Sequence, residues 1–528
     1  GAAQTVSYSS KLEVASGATV EGGVRLAGEK SDVFFNNGAT FVFTGETIAF
    51  TGTAEVYGKL NVVLDEDALS VRGTPIALFD YIGTESPAGK NTITFDSLNI
   101  NSTQELLYYK DLADPATTGS TVIYVVAPDL AEAGADLHEG TSSGFVEMLN
   151  DITATNAGEL QVAVGGLVLR TGRDNSVLTS VGQLAEAIIK TPNGALAGAL
   201  NNLSPLSYGA MLALPQSGFI NDMSAISSRI EQRRYDSYTQ FAWEIHDDWE
   251  FFAQAQGALA ESDESSDTRT FDMNTYGAIA GMDVKMNAET VAGFSFSYDY
   301  GKADIHNGGG DIESHDIRAT AFVGKLFADR FYLDAGAQVG YAMFDVKRNT
   351  LLGGVDGDTN GWHAGAFANL GMLVPLLMSE DEKTSLNLMP YIGLAYSYYG
   401  VGAFDESGAD TALDTDAFGA SSLRATVGAS LALVTPFLGK NTRTNLDVAY
   451  TRELMDSEVD IDYSMPGISG NAGYTASAIA FAEDTFSIGP RFSYDLDRNN
   501  SIYAGYRFEF STDSDTAHSV NLGFRSRF

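Results

Sequence analysis

From position 249 to position 528 the sequence alternates apolar and polar residues with a period of two, over 280 residues and without a credible helix. That periodicity gives every strand one apolar and one polar face. In 291–301, Phe294, Phe296, Tyr298 and Tyr300 share one face, and Ser295, Ser297, Asp299 and Gly301 share the other. Ile502, Ala504, Tyr506, Phe508 and Phe510 likewise oppose Ser501, Gly505, Arg507 and Glu509. Val520, Leu522, Phe524 and Phe528 oppose Asn521, Gly523, Arg525 and Arg527. Twelve such segments can be counted, at 249–260, 273–286, 290–301, 315–327, 330–346, 361–377, 384–400, 421–435, 443–453, 484–496, 500–510 and 517–528. Most hold about ten residues or more, the length a tilted strand needs to cross a bilayer, against about five or six in soluble sheets.

The connections alternate in length. Those at 261–272, 302–314, 347–360, 401–420, 454–483 and 511–516 are long; those at 287–289, 328–329, 378–383, 436–442 and 497–499 are short. Outer-membrane barrels have short periplasmic turns and long external loops. The fold class read from this is all-β, with a 12-stranded antiparallel transmembrane β-barrel at 245–528, its first strand running outward. The polar face is Gly-rich and carries Arg318, Asp334, Arg424, Asp447, Arg491, Arg507 and Glu509, which the alternation places in a wet lumen. A soluble β-sandwich is the alternative. Against it, no linker divides these residues into domains, and an even strand count lets the sheet close and remove its edges.

The charge narrows the partners. With 69 acidic against 31 basic side chains the formal charge is −38, which excludes nucleic-acid binding. No Cys is present, so disulfide frameworks, thiolate metal sites and Cys nucleophiles are all excluded. No run of 18 apolar residues occurs, which excludes a transmembrane helix but not a barrel whose strands alternate, and the mean hydropathy of −0.05 suits a barrel and a soluble chain alike. The chain starts at Gly1 with neither Met nor a signal peptide, and reads as processed or cropped.

Upstream of the strands the pattern turns helical. The segment 183–190 has helical spacing, broken by Pro192-Asn193-Gly194, and Pro215 reads as a second breaker. From Ser217, a candidate N-cap with Asp222 in the first turns, Phe219, Met223, Ile226 and Ile230 form an apolar stripe at steps of four, three and four. Arg229, Arg233 and Arg234 lie among polar residues on the remaining surface. Two readings of this helix at 217–240 stand: a surface helix on a neighbouring domain, or a pore helix inside the barrel with its arginines paired to lumen carboxylates.

Residues from about 196 to 528 resemble the translocator domain of classical monomeric autotransporters, the type V secretion proteins. The resemblance lies in Leu203-Ser204-Pro205-Leu206-Ser207-Tyr208 before a helix ending in the Arg-rich stretch 229–234, in Trp249 opening the first strand, in twelve strands, and in a terminal aromatic residue. The last strand resembles the signal read by the outer-membrane barrel-assembly machinery: Asn521, Gly523 and Phe528 match it, while Ser526 stands where an apolar residue is usual. The resemblance implies a monomeric barrel in outer-membrane lipid of a bacterium, helped across the periplasm by chaperones. It implies secretion and surface display of the chain's own N-terminal passenger, backsliding being opposed by folding outside. Some family members free their passenger at an Asn pair by Asn cyclisation. Here Asn201-Asn202 lies about 47 residues before Trp249, too far to sit in mid-pore, so the passenger is expected to stay attached. A non-secreting porin or adhesin barrel with an N-terminal β domain is the alternative.

In the N-terminal third, Gly17-Ala18-Thr19-Val20 recurs as Gly38-Ala39-Thr40-Phe41, a spacing of 21 residues, among short strand-like runs. Repeats of about 20 residues fit the coils of a right-handed β-helix; a plain β-sandwich is the alternative. β-Helical passengers are common in the resembled family. We divide this part into the last rungs of a β-helical stalk (1–70), a cap or autochaperone-like region (71–127), and a linker (128–216) with short helices at 142–150 and 176–190.

There is no His-Glu-x-x-His and no phosphate loop. Asp356-Gly357-Asp358-Thr359-Asn360-Gly361 opens like a calcium loop, but Phe367 stands where a Glu is required. His306 and His315 flank a Gly run in an expected external loop. Glu261, Asp263, Glu264 and Asp267, and Asp456, Glu458, Asp460 and Asp462, read as solvated acidic loops rather than cation sites. No enzyme activity and no cofactor are expected.

Overall fold

The protein is described by a computed structural model. It describes residues 9–21, 26, 30–43, 48–50, 54–64, 75–81, 94–102, 108–111, 120–125, 180, 183–184, 187 and 193–238, and 249–528 without 263–269, 329, 381–383, 471, 498, 512–514 and 528. Two compact units are formed, one by 1–136 with 146–197 and one by 137–145 with 198–528.

In the first unit the 21-residue spacing is a strand register. Ser9–Val14 pairs in parallel with Lys30–Phe35, Ser9 opposite Lys30. Thr19–Glu21 pairs in parallel with Ala39–Phe43, and Ala39–Phe43 with Ala54–Leu64, Ala39 opposite Leu60. Parallel stacking at a constant offset is the geometry of a solenoid, each coil burying its inner face on the next. Val14, Val33, Phe35, Ala39 and Phe41 are buried. At the corner, Asn36 Nδ2 donates to the Val14 carbonyl at 3.0 Å and Ser16 Oγ to that of Asn37 at 2.6 Å. Farther along the register changes. Ala54–Leu64 pairs in parallel with Thr94–Ser102, whereas Ser120–Val125 pairs antiparallel with both Pro75–Tyr81 and Tyr108–Asp111. The expected helix at 142–150 and most of the linker lie outside the described residues; positions 180, 183, 184 and 187 are helical.

The second unit is a closed antiparallel barrel. Its strands are β1 (Trp249–Glu261), β2 (Phe271–Asn287), β3 (Thr290–Ile305), β4 (Gly310–Phe327), β5 (Phe331–Thr350), β6 (Gly353–Met372), β7 (Ser385–Val401), β8 (Phe418–Phe437), β9 (Lys440–Glu453), β10 (Asp484–Asp495), β11 (Asn500–Ser511) and β12 (Thr516–Arg527). β6 is broken at Leu373 and continued by Val374–Met378. Each strand pairs with its neighbour, and β1 pairs with β12 from Glu250 opposite Arg527 to Glu261 opposite Thr516. Closure leaves the spanning part of the sheet no free edge, as a lipid surrounding requires.

The alternation decides which way each side chain points. Phe294, Phe296 and Tyr298 are exposed, Phe296 by 62%, while Ser295, Ser297 and Asp299 between them are buried. Trp249, Phe251, Phe327, Phe331 and Phe437 stand outward toward the short-turn rim, and Tyr276, Tyr298, Tyr341, Trp362 and Tyr396 form a second belt. An apolar band between two aromatic girdles is the outer surface of a membrane barrel. The short turns have strong local chemistry. Leu438 and Gly439, with φ of 51° and 74°, join β8 to β9 as a two-residue turn with both central residues left-handed. The Asp497 carboxylate accepts from the backbone of Asn499 and Asn500 at 2.7 and 2.8 Å. Its bonds to the Asn500 side chain first, then to the backbone, hold it below the usual carboxylate range.

At the other rim three expectations are corrected. The stretches 302–314 and 347–360 are not long loops. β3 to β6 run on past the outer belt and turn tightly, with Gly310 opposite Ile305 and Thr350 opposite Gly353. The aborted calcium loop at 356–361 is therefore strand, and His315 lies in β4 beside Tyr298 and Tyr300. The loops 401–420 and 454–483 are folded: Phe404–Asp405, Asp414–Thr415, Glu458–Ser464 and Gly473–Ile479 form a four-stranded sheet. Asp460 and Asp462 accept hydrogen bonds from Ser477 and Thr475 across that hairpin, and Val459, Ile461 and Tyr463 on its other face are buried. The cluster at Asp263, Glu264 and Asp267 lies outside the described residues.

Candidate functional site: the occupied lumen

Helix α1 (Asn193–Asn201) is followed by a 3-10 turn, Pro205–Gly209, that runs directly into α2 (Ala210–Tyr238). α2 starts seven residues before Ser217, so Ser217 is no N-cap and Pro215 no breaker. Pro215 forfeits its bond to the Met211 carbonyl, and a proline inside a helix costs about 3 kcal/mol. Burial outweighs this, because 203–216 is buried throughout.

α2 lies in the barrel. Phe219, Ile226 and Ile230 are buried against Phe252, Ile279, Val291, Phe322 and Phe367, with Met223 packed beside them. Each such side chain contributes about 1.5–3 kcal/mol on burial. Glycine sets how closely the helix approaches the wall: a Cβ on Gly218 would overlap the Arg318 guanidinium.

The polar face of α2 is matched to the wall by charge. Arg229 Nε donates to Asp283 at 2.6 Å and its Nη2 to Glu250. Arg233 pairs with Glu250, and with Asp283 at 2.7 Å. Glu250, 2% exposed, also receives Arg527 of the last strand at 2.7 Å, so one carboxylate ties the helix to both strands of the closure. Arg234 pairs with Asp334 and lies 3.8 Å from the centre of the Tyr332 ring. In mid-lumen Asp222 of α2 accepts from Arg318 at 2.8 Å, Gln338 at 2.8 Å and Gln256 at 3.1 Å, and Arg318 also pairs with Asp299 and Asp316. Glu231 accepts from Asn445 at 2.6 Å and from Arg491 at 2.7 Å; Arg491 pairs with Asp447 at 2.6 Å. Charges buried this deeply are tolerable only when paired and hydrogen-bonded.

Of the lumen charges expected from sequence, the structure brings Arg318, Asp334, Asp447 and Arg491 into these clusters. Arg507 touches Asn221 at 3.3 Å and Glu509 at 3.6 Å. Arg424 faces a cavity beside the helix. Asp222, Glu231, Glu250 and Asp283 were missed as partners. The parity of their strands held the signal for two of them: Trp249 and Phe251 point out, so Glu250 points in, and Asp283 sits likewise between Met282 and Val284. In β12 a Cβ on Gly523 would overlap the Tyr503 ring, whose hydroxyl reaches the Ala253 carbonyl of β1 at 3.5 Å. Asn521 faces Gly505 in register, and Phe528 lies outside the described residues.

Above α2 the chain is clasped at the long-loop rim. Tyr208 donates to Glu406, whose carboxylate pairs with Arg348 and accepts the Leu413 amide at 2.9 Å. Arg348 Nη1 reaches the Asn202 carbonyl at 2.7 Å. Burial above all, and then the Glu406 carboxylate, push the Tyr208 phenol well above its usual value.

A search of curated proteins found no match. Among solved structures, the chain is similar to the translocator domain of the autotransporter NalP from Neisseria meningitidis, at 16% identity and a TM-score of 0.42 over 58% of this chain and 98% of that one. It is similar to the beta domain of the Bordetella autotransporter BrkA, at 13% identity and a TM-score of 0.40 over 53% and 100%. It is also similar to the transport unit of the autotransporter AIDA-I from Escherichia coli, at 12% and 0.37 over 57% and 98%. The profile of the autotransporter beta-domain matches residues 251–507. Within those residues lie nine whole barrel strands and the larger parts of β1 and β11. The C-terminal half of this chain thus belongs to the autotransporter beta-domain family, translocator barrels embedded in the outer membrane.

Proposed function

We propose that the barrel exports its own N-terminal segment and displays it, still attached, on the cell surface. One observation supports this most: the helix that fills the lumen is covalently continuous with β1 at one rim, and its upstream end, Asn202 to Tyr208, is held by loop residues at the other. A chain threaded in this way leaves the lumen at the long-loop rim, which we take as the exterior side. In this reading residues 1–70 are the last rungs of a right-handed β-helical stalk and 71–127 its cap; the linker expected at 128–216 ends before the clasped segment at Asn202, because α2 already begins at Ala210. The constant 21-residue parallel register supports the stalk. Asn521, Gly523 and Phe528 serve as the signal for barrel assembly, and periplasmic chaperones accompany the chain. No catalytic step is involved.

The test is protease added to intact cells. Cleavage within residues 1–130, with the barrel left whole, is the expected result. Full protection of that segment in intact cells, with cleavage after lysis, assigns the chain to non-secreting barrels.

A further inference from the structure

α2 is seated off-centre. Its apolar stripe and its contacts with Glu250, Asp283, Asp334 and Arg318 all face the β1–β6 side of the wall. On the opposite side lies a cavity of about 220 Å³, reaching to Arg443 and Ser493 near the short-turn rim. A second cavity of about 100 Å³ reaches Asp515 and Thr516 at the long-loop rim. The two adjoin at Ile220, Asn221, Arg424, Arg507, Glu509 and Ser519, which line both. Both far exceed the ~10–15 Å³ that one water needs.

Two guanidiniums and one carboxylate line the part the cavities share. Glu453, opposite Arg424 in the register of β8 and β9, instead accepts from the Ser422 hydroxyl and the backbone amides of Leu423, Leu454 and Met455. Arg507 Nε is 3.6 Å from Glu509 and, though buried, has no hydrogen-bond acceptor among the described residues. Arg424 makes neither a hydrogen bond nor an ion pair within 4 Å among the described residues, unlike Arg318, Arg348 and Arg491. Elsewhere along the larger cavity Arg234 pairs with Asp334, and Arg491 with both Asp447 and Glu231. A narrow wet passage takes its selectivity from the fixed charge at its tightest point, and guanidiniums favour anions.

We propose that small inorganic anions pass through the barrel beside the seated helix, with Arg424 and Arg507 as the selectivity-determining residues and Glu509 as their partial counterweight. The export reading is not needed for this; a filled barrel is.

The test uses the full chain in planar bilayers under a potassium chloride gradient. A small steady conductance is expected, with a zero-current potential on the chloride side. Arg424→Gln combined with Arg507→Gln moves that potential toward the potassium side, and Glu509→Gln moves it farther toward chloride. Heat-modifiability on gels establishes that each variant barrel is folded. A closed wild-type barrel, a cation preference, or a zero-current potential that none of the three substitutions moves overturns the proposal. So does a wild-type conductance as large as that of a chain lacking Arg229, Arg233 and Arg234, since ions then cross an emptied pore.

Discussion

Tyr208 donates its phenol proton to Glu406 at 2.5 Å, across 198 residues of sequence, and so fastens the segment above the pore helix to the loop 401–420. Glu406 and Arg348 are both fully buried. Removing one member of such a pair leaves the other charge uncompensated, at a cost of about 3–5 kcal/mol. Glu406→Ala is therefore expected to free the loop 401–420 from the clasp while the membrane strands hold. Limited proteolysis of the inserted barrel checks this, with new cuts expected inside 401–420. The clasp also has a pH limit. Since the folded state raises the phenol's affinity for its proton, its contribution is whole below the ordinary tyrosine value of about 10 and fades as pH rises beyond it. The same cuts should appear in the parent chain at strongly alkaline pH, and Tyr208→Phe should abolish that dependence.

The two faces of β3 differ in what they tolerate. Phe296→Arg puts a charge into the apolar band and is expected to cost about 2–4 kcal/mol near mid-bilayer. Ser519→Arg, facing the cavity beside α2, should cost less. Ser297 is a poor control for the inner face, because its hydroxyl donates to Asp222 in the crowded Arg318 cluster. Urea unfolding in lipid vesicles reads both values; equal losses contradict the assigned faces.

Replacing Arg229, Arg233 and Arg234 together by Gln strips Glu250, Asp283 and Asp334 of their helix partners. We expect a marked rise in single-channel conductance and a lower unfolding midpoint. Adding Asp283→Asn and Asp334→Asn should recover part of the midpoint, since charges without partners are then no longer buried.

Gly523→Val drives a side chain into the Tyr503 ring next to the seam where β12 meets β1. The folded, heat-modifiable fraction should fall sharply. Tyr503→Ala in the same chain should restore it if the fault is one of space; persistence of the defect assigns Gly523 a role beyond packing.

How much of this could be read beforehand depends on where lipid acts. All twelve strands show in the sequence, because the bilayer forces one face of each to be apolar: Phe294, Phe296 and Tyr298 against Ser295, Ser297 and Asp299. Beyond the membrane that pressure ends. Gly353 to Asn360 continues a strand whose one large apolar side chain is Val355, and so reads as loop. The four-stranded sheet of the loops was invisible for another reason: two of its strands have two residues each, and Asp414 finds Ser464 across 50 positions. Pro215 misled because local propensity counts a missing hydrogen bond but not the burial that outweighs it. The arginines of α2 stood out, while their partners did not. Asp283 is one carboxylate among 69 acidic side chains, and only the closed sheet brings it within 2.6 Å of Arg229.

Ten residues separate Tyr238, the last of α2, from Trp249, the first of the barrel. A stopper tied to its own barrel by ten residues has an effective concentration on the order of millimolar at its seat. Losing an ion pair or two should therefore produce brief openings that reseal on their own, a flicker in the current trace rather than a lasting hole in the cell's outer barrier.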